Sequence, residues 1–316
     1  MQTEWRNASI TFAIFAALLA ALAGVVTPGA LLAQSRAAPD CAGKVYGQGR
    51  RAICLPQGAA SFADSVLSFT PGARPSEGDW AQPRYALGEP DYTRTTAPGF
   101  LSLGCDGVLV LRFDDNALVD VDGPDLYVFE VGPAVEATEL AVSVDGRSWL
   151  EVGRVEGARA ELELTGIIDP DEAYRYVRLT NRSRTCGGRH SGADIDAVAA
   201  VGSALRLALD AAVLFDVASS TLKADASAAI ANAAAVIRER RATRVLIEGH
   251  TDSDGDNAAN DALSLARATA VRDALVAAGV DRSMMRVRGH GERRPVAPND
   301  TPANKARNRR VDLLLR

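Results

Sequence analysis

Hydrophobic positions change their spacing along this chain, and the changes divide it into three parts. Ile10 to Val26 form a nearly unbroken apolar run. From Cys41 to Val201 the apolar residues come in short, β-branched and aromatic runs, Val108 to Phe113, Leu126 to Val131, Leu140 to Val144 and Tyr176 to Thr180, punctuated by Gly, Asp and Pro. Such runs between turn signals, here including Asp145-Gly146, predict strands in an all-β antiparallel sandwich. Beyond Leu207 the period lengthens. Leu207 to Phe215 is apolar and bounded by Asp216, Ala224 to Arg240 is rich in helix formers, and Val245-Leu246-Ile247 is a buried type of strand. Between Ala258 and Ala278, residues Leu263, Ala266, Ala270 and Ala274 recur at spacings of three and four. That spacing gives a helix one face for packing on a sheet, and Gly279 is placed to end it. Val287 belongs to a third strand, Glu292 to Asn304 with its three prolines to a loop, and Arg309 to Leu315 to a closing strand. This order predicts an α/β sandwich with the Thr251-Asp252 turn and the start of the second helix on one edge.

Charge sharpens the division. The chain of 316 residues carries a net charge of −5, which hides opposite signs. Residues 203–316 hold 18 Lys and Arg against 14 Asp and Glu, and the preceding part holds 17 against 26. We therefore expect an exported leader at 1–34, a β-sandwich domain at 35–202 and an α/β domain at 203–316. The basic surplus of the last part is too small and diffuse for nucleic acid.

The leading apolar run, behind Glu4 and Arg6 and before the small residues Ala30 to Ala33, has the form of a secretory signal peptide. Its length approaches a membrane span, so a retained anchor is the alternative. Ala38-Pro39-Asp40 before Cys41 lacks the small and aliphatic residues of a lipidation signal. The four cysteines, Cys41, Cys54, Cys105 and Cys186, fall between leader and α/β domain. Four cysteines in an exported chain suggest disulfides with three connectivities. Cys41 with Cys54 and Cys105 with Cys186 is the favoured set. Zinc is disfavoured, because no Cys-x-x-Cys spacing exists and His190, His250 and His290 are scattered.

The candidate chemistry concentrates in Gly249-His250-Thr251-Asp252, Asn260, Leu263-Ser264, Arg267-Ala268, Val271 and Asn308-Arg309-Arg310-Val311, preceded by Leu214-Phe215-Asp216 and Leu222. Taken singly, Asp252 is an ordinary turn residue, Arg267 a solvated helix residue and Asn260 a helix cap. Together, these blocks resemble the OmpA-like peptidoglycan-binding domain. The resemblance covers the last third of the chain. It implies that Asp252 accepts the ammonium and Arg267 binds the carboxylate of a diaminopimelate side chain in the wall's stem peptide, with Thr251, Asn260, Arg309 and Arg310 as further site residues. A guanidinium that grips a carboxylate by two parallel hydrogen bonds suits that role. Arg309 and Arg310 are expected to alternate, one facing the cleft and one facing solvent.

The middle part is more loosely similar to galactose-binding-like jelly rolls of bacterial cell-surface proteins, through Ala86-Leu87-Gly88, Gly107 to Phe113, Asp125 to Glu130, Ser143-Val144-Asp145-Gly146 with Trp149, and Asp194-Ile195-Asp196-Ala197-Val198. Among its many aspartates, Asp120, Asp122, Asp125, Asp194 and Asp196 are candidate calcium ligands, although Asp-rich turns need no metal. No other cofactor is expected. Trp149 with Tyr127 could stack on a sugar, or both could be core. The expected function is a noncatalytic tether of the cell envelope, periplasmic or peripheral to the outer membrane, that holds peptidoglycan and presents the sandwich to the outer membrane, a polysaccharide or a protein. A wall- or glycan-directed enzyme, with Asp194 and Asp196 as first suspects, and a stator-like anchored subunit are the alternatives. Against the enzyme, no Gly-x-Ser-x-Gly or His-Glu-x-x-His motif occurs.

Overall fold

Short apolar runs in the first region become strands because alternate residues share one core. The computed structural model describes residues 41–316, except 42, 48–50, 74–75, 94–98, 133–134, 158–159 and 183–189. The predicted leader and Cys186 lie outside the described residues. The strands of the first region are β1 (Lys44–Tyr46), β2 (Ile53–Leu55), β3 (Ser65–Thr70), β4 (Leu101–Ser102), β5 (Val108–Arg112), β6 (Asn116–Leu118), β7 (Leu126–Glu130), β8 (Val135–Ser143), β9 (Leu150–Gly157), β10 (Glu161–Leu162), β11 (Tyr176–Asn181) and β12 (Asp194–Ala200). One antiparallel sheet has the order β10-β7-β12-β4 and a second the order β3-β5-β11-β8-β9. Both feed one apolar cluster: Leu109 and Leu111 of β5, Val177 and Leu179 of β11, and Leu140 and Val142 of β8 join Leu126 and Val128 of β7 and Ile195 of β12. The period of two puts each pair on the same face of its strand, and each buried Leu contributes roughly 2 kcal/mol.

The β1-β2 hairpin is clipped by a Cys41–Cys54 disulfide. Cys105 is also disulfide-bonded, and there is no free cysteine among the described residues. Tyr127 is buried in the core, where its hydroxyl donates to the Arg51 carbonyl, and Trp149 instead lies against the Arg178 guanidinium. Of the two readings for this pair, Tyr127 follows the core one, and the two rings do not form a shared sugar platform.

The second region consists of β13 (Ser203–Asp210), α1 (Ala211–Leu214), α2 (Ala226–Glu239), β14 (Val245–His250), α3 (Asn257–Ala277), β15 (Met285–Gly289), α4 (Pro302–Asn308) and β16 (Arg310–Leu315). Its sheet has the order β15-β14-β16-β13-β6, with β14 and β15 parallel and the other pairs antiparallel. Helices α2 and α3 cover one face, where Ile230, Ala233, Ile237, Ala268, Val271 and Leu275 meet Val245, Ile247, Val311 and Leu313. The alanines let α3 lie very close to the sheet. A Cβ on Gly249 would stand 2.0 Å from the Ser264 carbonyl oxygen, so any side chain there pushes α3 off β14. Gly279, with φ of +87°, ends the long helix.

Two expectations change. The run from Leu207 to Phe215 is not all strand, because the Asp210 carboxylate accepts a bond from the Ala212 N–H and starts the turn α1. The expected loop of 292–304 is loop as far as Thr301, and its last three residues instead open α4, which Thr301 caps through the Asn304 N–H and Pro302 begins.

The last strand of this sheet comes from the first region. β6 pairs with β13 through Ala117 and Ala204, and Ala117, Val119, Ala173, Ala204, Leu246 and Leu314 fill the join. The expected division at 202 and 203 falls in the turn between β12 and β13, yet the sheet continues across it, and Asp40–Arg316 pack as one unit.

Candidate functional site

Where β14 ends, Thr251 and Asp252 are carried to the edge that α3 also reaches. The Thr251 N–H donates to the Gly291 carbonyl, and Asp256 caps α3 by accepting from the Ala259 N–H at 2.9 Å. Arg267, on the face of α3 beside Ala268 and Val271, is 4% exposed. Its Nε donates to the Ser219 carbonyl at 2.9 Å and its guanidinium lies 5.2 Å from the Phe215 ring, so its direction is fixed before any ligand arrives. Burial is the strongest influence lowering its pKa, followed by repulsion from Arg309, while Asp252 opposes both.

Asp252 is 6% exposed. One of its oxygens accepts from the Asp254 N–H, and the other takes Arg309 Nη1 at 2.5 Å. Asp252, Arg267, Arg309, Thr251 and Asn260 line one cleft of about 450 Å³, whose rim is Asp216 to Ala218. The Thr251 hydroxyl is buried and has no hydrogen-bond partner among the described residues. A buried donor left in that state costs free energy, which a ligand atom would recover. Besides Arg309, which is paired with Asp252, the opening presents the Asp252 carboxylate and the Arg267 guanidinium, the opposite charges that recognise a zwitterion.

Asn260 is not the helix cap that its type suggested. Asp256 takes that role, and Asn260 Nδ2 instead donates to the Asp252 carbonyl and to Glu292. Arg310 does not enter the cleft, and it does not face solvent either. Its side chain turns to the opposite face of the sheet, is 5% exposed and donates to Asp312 at 2.9 Å. The reason is the strand period: Arg309 and Arg310 are consecutive, so they project oppositely, and the first region covers the second face. Residues that sequence reasoning left unassigned are Phe215, Asp216 and Ser219, which hold Arg267, and Lys305, which pairs with Asp254 at 2.6 Å. The Leu214-Phe215-Asp216 block of the sequence is the signal for the first two.

The five candidate calcium ligands are not gathered at one point. Asp120 and Asp125 meet Glu163, whereas Asp194 receives the Ser102 hydroxyl at 2.5 Å and Asp196 receives the backbone N–H groups of Asp91 and Tyr92. Asp122 belongs to neither group. Asp125 is itself occupied by the N–H groups of Val121 and Leu164, and Asp120 and Glu163 share the Thr165 hydroxyl, so these carboxylates have structural partners.

Comparison with known proteins finds relatives for the last third of the chain. Residues 214–309 match the OmpA family. This segment is an OmpA family domain. It is similar to the probable lipoprotein YiaD of Escherichia coli (strain K12), at 42% identity over 103 residues that make up 33% of this chain and 47% of that protein. The chain is also similar to the peptidoglycan-associated lipoprotein of Mesorhizobium japonicum, at 37% identity over 31% of this chain and 59% of that protein. The chain thus spans less than two thirds of the length of either relative. Among solved structures, the peptidoglycan-associated lipoprotein from Burkholderia pseudomallei is 35% identical across 33% of this chain and 88% of that one, with a TM-score of 0.31. The OmpA family domain contains Asp252, Arg267 and Arg309 together.

Proposed function

We propose that the chain is a noncatalytic protein of the cell envelope that holds peptidoglycan through its OmpA family domain. In this reading Asp252 accepts the ammonium and Arg267 grips the carboxylate of diaminopimelate in the stem peptide. Thr251 and Asn260 complete the polar lining. Arg309, which pairs with one oxygen of Asp252, holds that carboxylate in place beside the ligand's ammonium. The first region, taken as a galactose-binding-like jelly roll, presents a surface to an outer-membrane, polysaccharide or protein partner. No cofactor is required, and the place of action is the periplasm or the periphery of the outer membrane. The names of the relatives, a lipoprotein and a peptidoglycan-associated lipoprotein, support an envelope setting.

The observation that carries this reading is the meeting of two nearly buried opposite charges, Asp252 and Arg267, on one cleft. Asp194 and Asp196, the first suspects for an enzyme, each have structural partners, the Ser102 hydroxyl and the backbone N–H groups of Asp91 and Tyr92. Co-sedimentation of the full chain with peptidoglycan sacculi tests the proposal. Wild type should pellet, and Asp252→Ala or Arg267→Ala should weaken binding by roughly ten- to a hundredfold, the worth of a charged hydrogen bond. Equal binding by the variants, or none by wild type, contradicts it.

A further inference from the structure

The face of the sheet opposite α2 and α3 holds an unusual concentration of buried charge. Glu248, His250, His290, Arg310 and Asp312 are each less than a tenth exposed. They are covered by the first region and connected to it. Asp312 takes Arg310 Nε at 2.9 Å and Arg206 Nη2 at 2.8 Å, and Arg206 donates in turn to the Asp114 carbonyl of the first region at 2.9 Å. Arg175 is close behind, bonded to the Phe113 carbonyl. At the other side of the cluster Arg294 donates to Glu248 at 3.0 Å and to Glu172 at 2.8 Å. Glu172 stands in the first region just before β11 and also pairs with Arg288.

This cluster and the wall cleft are two faces of the same strand ends. β14 and β16 pair with His250 opposite Arg310. Immediately beyond His250 come Thr251 and Asp252, and immediately before Arg310 comes Arg309. Arg310 fixes that junction by donating to the carbonyls of Asn308 at 3.2 Å and Arg294 at 3.1 Å. Asn308, fully buried, holds the N–H groups of Val296 and Ala297. Arg309 is therefore clamped between two immobilised residues, and its guanidinium falls on Asp252. A continuous chain of contacts runs from the Glu172 carboxylate through Arg294, Arg310 and Arg309 to Asp252.

We infer that Glu172 of the first region is a positioning residue for the cleft of the OmpA family domain, acting through Arg294 and Arg310 on Arg309. This rests on the wall-binding reading above. Without the Glu172 carboxylate, Arg294 and Arg288 both lose a charged partner in a largely buried setting, and such a loss is resolved by movement or by competition for the remaining acid. Arg294 then competes with His290 for Glu248, since His290 Nε2 lies 2.7 Å from the same carboxylate oxygen. The 290–297 segment carries the carbonyl that holds Arg310, so Arg309 is released from its setting. The first region is in this way part of the wall site without touching its ligand, and whatever loosens the first region at Glu172 loosens the grip on the wall.

The discriminating experiment is a double-mutant cycle on the affinity of the full chain for peptidoglycan sacculi, with wild type, Glu172→Gln, Arg309→Gln and the double variant. Glu172→Gln keeps the size of the side chain and removes its charge. It should weaken binding about fivefold, the scale of coupling through a packed network. In the Arg309→Gln background the same change should have no further effect on binding, while it lowers the melting temperature equally in both backgrounds. Multiplying effects, or a Glu172→Gln chain that binds as wild type does, would assign Glu172 to docking alone and overturn the inference. Should Glu172→Gln fold poorly, Glu172→Asp preserves the charge at shorter reach and is expected to bind between wild type and Gln, with the same non-additivity toward Arg309. A wild-type chain that does not bind sacculi removes the wall reading and this inference with it; a binding wild type with an additive cycle removes this inference alone.

Discussion

Asp312 in the OmpA family domain and Glu130 in the first region are both carboxylates taken largely out of water, yet their surroundings drive them in opposite directions. Burial acts to raise both. At Asp312, Arg310 and Arg206, with His250 and Arg175 behind them, overcome it and hold the carboxyl well below the usual carboxylate range. At Glu130 burial prevails and pushes the pKa up to about 8, because the Glu136 and Asp194 N–H groups offer only partial compensation and their carboxylates add repulsion. Asp194 and Asp196 follow the same course, pushed up to about 6 mainly by burial. The second region uses arginine to keep buried Asp312 charged, while in the first burial without a cation raises these three acids and their backbone and hydroxyl donors offset it only in part. The lesson is that burial by itself does not set the charge of a site; the available cations do.

The largest effect should come from breaking the arginine-rich side of that contrast. Asp312→Ala leaves Arg310 and Arg206 buried without their acid and should cost about 3–5 kcal/mol in urea denaturation. A loss below about 1 kcal/mol would mean that water enters the join and that the two regions are less different than they look. Opening the Cys41–Cys54 clip with Cys41→Ser should cost about 3 kcal/mol, from a sequence separation of 13 residues, and this should be seen as a lower melting temperature.

The titration of Glu130 sharpens the comparison from the other side. Its pKa is raised on folding, so the protonated native state is favoured, its stabilisation is full below about 4.5 and it is lost as pH rises toward about 8. His250 works oppositely: burial lowers its pKa well below the ordinary value of 6.5, so its stabilisation is present above that pH and is lost below it. Raising pH from about 6.5 to 8 should therefore reveal mainly Glu130, with a loss of about 1.5 kcal/mol. Glu130→Gln should flatten that slope; a slope that persists would place the titration elsewhere. The smallest effect is local to the second region. Asp256→Ala removes the cap of α3 and should cost about 1 kcal/mol by denaturant midpoint, with little change in the first region.

Much of the second region was legible, because its helices and strands are regular. The expected helix from Ala258 to Ala278 is Asn257–Ala277 in the structure, and the one from Ala224 to Arg240 is Ala226–Glu239. Apolar spacing of three and four, with Gly279 as a stop, carries that information locally. The carboxylate and guanidinium at Asp252 and Arg267 were likewise visible as motif residues. The covered face of the sheet was not. In Arg310-Val311-Asp312 charged and apolar residues alternate, which tells a reader that the strand has two different faces but not what lies against the polar one. That depends on Glu172 meeting Arg294 across 122 residues and on β6 joining β13, and neither leaves a local trace. Helix α4 was missed for a different reason. Three prolines between Glu292 and Asn304 read as loop, although Thr301-Pro302 is also a helix start.

The central claim is that the cleft recognises a zwitterion through two charges, and the most direct measurement compares sacculi whose stem peptides carry diaminopimelate with sacculi that carry lysine at the same position. Lysine keeps the ammonium for Asp252 and lacks the second carboxylate for Arg267. Co-sedimentation of the full chain with the first and loss of roughly tenfold or more in affinity for the second is the predicted result. Equal affinity for both walls would contradict it, since Arg267 would then have no ligand carboxylate to bind.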